Sequence, residues 1–144
     1  MANSTTLYTG SEGRIQVDVT ENKTLTAADA GIVQNVITDA ITVTLPTSAA
    51  ATVGATFIIR NGGVPASSGI GMGSGSDGSC LVTVAPGASD GISGNAFSAA
   101  TNKAALNTKA TARVGDEITL VGSGVTSAAA WFIQRVKGTW ARAA

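Results

Sequence analysis

Three stretches of this sequence carry residue types that do chemistry: Gly73-Ser-Gly75-Ser-Asp-Gly78, the lone Cys80, and the neighbouring acids Asp116-Glu117. The glycine run matches G-x-G-x-x-G, a pattern in which backbone amides at a helix N-terminus cradle a pyrophosphate. That chemistry needs a buried strand before the glycines and a helix after them. Here the preceding residues, Gly-Gly-Val-Pro-Ala-Ser-Ser-Gly at 62–69, are more loop, and Cys80-Leu-Val-Thr-Val84 reads as a strand. Residues Gly62 to Ser79 are therefore expected to form a loop that binds no nucleotide.

The acids fare no better as catalysts. Successive strand residues point to opposite faces, so Asp116 and Glu117 cannot form a close acid–base pair. They read as a charged turn at a strand entry. Asp77 and Asp90 lie in glycine-rich loops, but a calcium site gathers several carboxylates at D-x-D-x-D spacing, and no such cluster exists here. Arg60 shares a strand face with Ile58, while Phe57 and Ile59 take the other; it is expected to be a solvated or interface arginine. Histidine is absent altogether, which excludes Ser-His-Asp and Cys-His catalysis and every His-based metal site. Cys80 has no partner for an intrachain disulfide and reads as a small core residue. The expectation is a non-enzymatic protein with no catalytic residue, no cofactor and no metal.

The elements that must position these residues are strands. Arg14-Ile-Gln-Val-Asp-Val19 alternates with period two and puts Ile15, Val17 and Val19 on one face. Leu25 to Gly31 reads as a short helical turn ending at glycine. Ile32 to Ile37, Ile41-Thr-Val-Thr-Leu45 and Ala55 to Arg60 follow as strands, with Pro46 as a stop and one possible helical turn between Ala49 and Val53. After the glycine loop come Cys80 to Ala85, a stretch at 88–113 with few large apolar groups, Gly115 to Val121, and Ala130 to Val136. The sum is about eight strands, spaced as in a sandwich or barrel. Residues 1–13 are polar apart from Leu7 and Tyr8 and are expected to form a flexible N-terminal arm on a β-domain at 14–144.

Composition narrows the class. Of 144 residues, only 12% are charged, against about 25% in an ordinary domain, and only 4% are aromatic. Nine basic and nine acidic residues cancel, so no basic face argues for nucleic acid and no charge block argues for a membrane surface. No apolar run approaches the roughly 20 residues of a membrane helix. The N-terminus lacks the basic and apolar regions of a signal peptide. A near-neutral chain rich in small residues lacks the repulsion that keeps monomers apart.

The order of segments carries a resemblance. An ITVTLP strand, a small-residue spacer, Gly54-Ala-Thr-Phe-Ile-Ile-Arg-Asn61, a Gly/Ser loop, a valine strand ending in Ala-Pro-Gly87, Asp90-Gly-Ile92, Gly-Asp-Glu-Ile-Thr-Leu-Val121, Trp131-Phe-Ile and Gly138-Thr-Trp140 follow one another. Over roughly residues 14 to 141 this resembles a β-module of tailed-phage virion proteins, above all the jelly-roll cement (decoration) proteins of phage heads, and also domains near tail-fibre tips. The resemblance implies an all-β, jelly-roll-like β-sandwich. It implies a structural protein on the outer surface of the capsid, a homotrimer that bridges major capsid protein subunits. No catalytic residue comes with it.

The alternative it leaves is a tail-fibre or receptor-binding module. Such a module needs an aromatic cluster to hold a sugar, and Tyr8, Phe97 and Trp140 are thin material. The chain also reads as whole from Met1, with no stalk or long repeat, which favours the cement reading. Leu7, Tyr8, Arg14 and Trp140 are the residues expected to touch a partner. Leu7 and Tyr8 would anchor the arm. Trp140 has two roles open to it, packing against Trp131 at the last hairpin or exposure as a contact residue.

Overall fold

A computed structural model describes residues 7–9, 14–63, 65–66, 69–70 and 78–144. The chain is built almost entirely from short strands: β1 (Leu7–Thr9), β2 (Ile15–Val19), β3 (Lys23–Thr24), β4 (Val33–Val36), β5 (Ile41–Thr44), β6 (Thr56–Asn61), β7 (Pro65–Ala66), β8 (Gly69–Ile70), β9 (Val82–Ala85), β10 (Ile92–Ser93), β11 (Ala105–Asn107), β12 (Glu117–Gly122), β13 (Trp131–Lys137) and β14 (Ala141–Arg142). Among the described residues the helical elements are a 3-10 turn at Ala27–Asp29 and one helical turn, α1 (Ser48–Ala51). Thr47 caps α1 by accepting the Ala50 amide, 3.3 Å away.

Twelve of these strands lie in two large sheets, and β7 and β8 pair with each other in a small third one. One has seven strands in the order β1-β2-β4-β6-β12-β13-β10; the other has five, β14-β11-β9-β5-β3. Their inner faces meet in one core. Val19, Val36, Phe57, Ile59, Ile118, Leu120, Trp131 and Ile133 come from the first sheet, and Val43, Val82, Val84 and Ala105 from the second. Each inward set is the apolar half of a period-two pattern, as burial of one strand face requires. Phe57 and Trp131 meet edge to face, with ring centres 5.3 Å apart, the arrangement that ring quadrupoles favour. The fold is thus an all-β sandwich, one of the two architectures that the strand spacing allows.

The route through it is less expected. From β2 the chain crosses to β3 in the other sheet, returns to β4, crosses to β5, returns to β6 and crosses to β9. Strands β2, β4 and β6 are therefore parallel neighbours, and so are β3, β5 and β9. A parallel pair needs a crossover, which is usually a helix; here each crossover is a strand of the facing sheet. A jelly roll pairs its strands antiparallel throughout. In this chain β2 to β9 coil between the two sheets instead, while β1 is antiparallel to β2 and the second half adds β12 antiparallel to β6 and β11 antiparallel to β9.

Several local expectations change. Leu7–Thr9 of the predicted arm is strand β1, antiparallel to β2, with Leu7 opposite Val17 and Tyr8 opposite Gln16. Residues 1–6 and 10–13 lie outside the described residues. The last hairpin is β12–β13, and Trp140 comes after it on the way into the other sheet, so the two tryptophans do not bracket a hairpin. The stretch at 88–113, with few large apolar groups, contains β10, β11 and then a turn. The glycine motif lies outside the described residues up to Gly78; the next element along the chain is strand β9, not a helix.

Candidate interaction surface

The outward face of the seven-stranded sheet carries two cross-strand rows. One runs Gln16, Val33, Ile58, Thr119, Arg135; the next runs Asp18, Asn35, Arg60, Glu117, Lys137. The alternation that sends Phe57, Ile59, Ile118 and Leu120 into the core sends these residues out. The second row is a ladder of hydrogen bonds. Asn35 Nδ2 donates to Asp18 Oδ1 at 2.9 Å, and Arg60 Nε donates to Asn35 Oδ1 at 3.0 Å. The Arg60 guanidinium also donates to Gln16 Oε1. Arg60 is therefore a half-buried member of a network and not simply solvated.

Glu117 is the centre of the face. Arg14, just before β2, reaches across β4 and β6 to grip it with two parallel bonds, Nη1 to Oε1 at 3.1 Å and Nη2 to Oε2 at 3.2 Å. Arg135 donates to the same Oε1 at 3.1 Å. Burial pushes the Glu117 carboxyl up, but the bonds and charge of Arg14, then those of Arg135, outweigh it and hold the pKa below the usual carboxylate value.

Asp116 and Glu117 do face opposite ways, but neither is an exposed turn charge; they are 4% and 8% exposed. Asp116 turns into a polar network between the sheets. Its Oδ2 accepts from Asn107 Nδ2 and from the Arg113 amide, both at 2.9 Å. Asn107 Oδ1 accepts from Asn61 Nδ2 at 2.6 Å, and Asn61 also bridges the backbone of Cys80 in both directions. This network ties β6 to β11 and has every member partnered, which is what burial of polar groups demands. Its carboxylate is spent on structure.

Beside Glu117 the face opens into a groove of about 380 Å³, lined by Arg14, Thr56, Ile58, Thr119, Gln134 and Arg135. A β-bulge shapes its rim: β12 and β13 pair Thr119 with Arg135 but Leu120 with Ile133, so Gln134 is an extra residue. Bulges re-aim side chains, and here Gln134 and Arg135 both line the groove.

Of the residues expected to touch a partner, Arg14 lies on this face, already engaged by Glu117. Tyr8 is placed at the sheet edge by its backbone register opposite Gln16, and Leu7 opposite Val17. Trp140 is elsewhere: it is 8% exposed, belongs to the core and donates from Nε1 to Lys137 O at 3.1 Å, so packing is the role the structure gives it. Sequence reasoning missed Glu117, Gln134 and Arg135. The outward phase of Glu117 was legible from Ile118 and Leu120, but its arginine partners were not, because they are 103 and 18 residues away.

Cys80 is wholly buried, and burial, with the nearby Asp39 charge, pushes its thiol up to about 12, so it is no nucleophile. Asp90 is buried as well and accepts the Ser48 amide at 2.7 Å through Oδ2. Among the described residues no three His, Cys, Asp or Glu side chains group as a metal site would need, and no helix is long and apolar enough to cross a membrane. No protein-family model and no curated protein matches this chain.

Proposed function

We propose that this chain is a structural protein of the tailed-phage virion, a head decoration or cement protein that binds the outer surface of the capsid as a homotrimer and bridges major capsid subunits. The observation that carries the reading is the placement of the N-terminal strand. β1 is the terminal strand of the seven-stranded sheet, paired on one side only among the described residues. A terminal strand offers a row of backbone donors and acceptors to a neighbouring chain. The body behind it is stiff: a packed two-sheet core with a ladder of side-chain bonds over its outer face. Low charge and a zero net charge suit a protein that works in contact with others. Stabilisation would come from many weak contacts acting together rather than from chemistry.

The test is direct. Purified protein is mixed with tailed-phage capsids lacking a decoration protein, and the particles are imaged. The expected result is ordered trimeric density on the outer surface, with sedimentation of the free protein at about three times the 14.2 kDa chain mass. Deleting residues 1–13 should leave a folded β-domain by circular dichroism but weaken attachment. Bare capsids, or a truncated chain that decorates them as tightly as the full one, would overturn the reading.

A further inference from the structure

We propose that the groove beside Glu117 is a docking site for an extended acidic segment of a partner protein, with Arg135 as the residue that takes its carboxylate. The inference rests on the groove itself and stands whether or not the protein is a virion component. Glu117 is already held by both Arg14 nitrogens, so the third bond, from Arg135, falls on an oxygen that is in use. Arg135 spends one nitrogen there, and its side chain is 66% exposed. Its remaining guanidinium donors form a fork suited to a second carboxylate. The bulge sets Gln134, an exposed amide with both donor and acceptor, on the same rim.

The floor is apolar. Ile58 lies at the base between Thr56 and Thr119. One row further along the face, Val121 pairs with Phe132, whose side chain is one of four large apolar groups exposed among the described residues. Gly94 keeps that ring close to the sheet: a methyl group there would stand 3.0 Å from Phe132 Cε2. An aromatic ring, an apolar floor and an incompletely neutralised arginine are the components from which interface centres are made. The charge selects an acid and the floor selects a small apolar neighbour beside it. Nucleic acid is a poor fit, because nine basic and nine acidic residues cancel and leave no basic track for a phosphate backbone.

The test uses the full chain, labelled with nitrogen-15, and the peptide acetyl-Glu-Leu-Asp-Leu-Glu-amide as probe. Amide shifts should concentrate at Thr56, Ile58, Thr119, Gln134 and Arg135, and affinity should fall as salt rises. Arg135→Ala should weaken binding about fivefold, the upper end for a solvent-exposed ion pair. Arg135→Lys, which keeps the charge but not the fork, should fall between. Gln134→Ala leaves the Glu117 cluster intact and should also weaken binding, so a folding defect in the arginine variant would not hide the result. Equal binding of acetyl-Lys-Leu-Lys-Leu-Lys-amide, no effect of either rim variant, or the same shifts with sodium acetate alone would each overturn the proposal. So would a saccharide that shifts Phe132 while the acidic peptide shifts nothing.

Discussion

Replacing Glu117 by Gln keeps the shape of the side chain and removes its charge. In the folded protein the carboxylate is 10% exposed and accepts three N–H bonds from two arginines. Removing one partner of a fully buried ion pair costs about 3–5 kcal/mol. Here the arginines are 27% and 66% exposed, so water takes up part of what they lose, and the amide oxygen still accepts one bond. A loss of about 2 kcal/mol is expected at neutral pH. For a chain of this size that is a drop in Tm of roughly 4–8 °C.

The pH dependence has a definite sign. The folded-state pKa of Glu117 lies below the ordinary value of 4.5, so its contribution is present above that value and fades as pH falls through the folded-state pKa. The gap between native protein and variant should therefore be widest at neutral pH and close in acid. Urea unfolding followed by the fluorescence of the buried Trp131 and Trp140 measures it. A difference under about 0.5 kcal/mol at pH 7, or one undiminished near pH 3, would refute the view that the Arg14 clasp matters. Arg14→Ala should cost more than Arg135→Ala, because Arg14 makes the two-bonded contact.

Gly138 sits at φ +85°, and a methyl group added there would stand 2.1 Å from the Asp116 carboxylate. Gly138→Ala should cost at least about 2 kcal/mol through backbone strain and a broken buried network, read as a lower urea midpoint. Cys80, buried with its thiol pushed up to about 12, should resist a thiol reagent at pH 8 in the native protein and react at once in urea; rapid labelling without denaturant would contradict its placement in the core.

Much of this molecule is legible from local sequence. Period-two alternation marks which residues of Ile41–Thr44 and Thr56–Asn61 turn inward, because a strand with one face buried allows only one phase, and in Ile15–Val19 it holds for Val17 and Val19 while Ile15 is 45% exposed. Gly31, Gly54 and Gly115, read as turn or strand-entry residues, all take positive φ, a backbone conformation that a side chain disfavours. With no histidine in these 144 residues, they hold no imidazole for a Ser-His-Asp or Cys-His arrangement.

What alternation cannot say is which strand lies beside which, or in which direction. That is why β2, β4 and β6 run parallel although each reads from sequence like a strand of an antiparallel sandwich. The same limit hides the short ladders β3, β10 and β14, whose two residues each carry no period to detect. It hides the groove as well. Arg14, Glu117 and Arg135 are three unremarkable charges along the chain, and they become one cluster only because coiling sets β2 and β12 in a single sheet and a bulge turns β13 toward them. Residue pattern determines the face on which a side chain stands. Only strand pairing over long sequence separations decides what stands next to it, since that choice depends on the packing of both sheets at once.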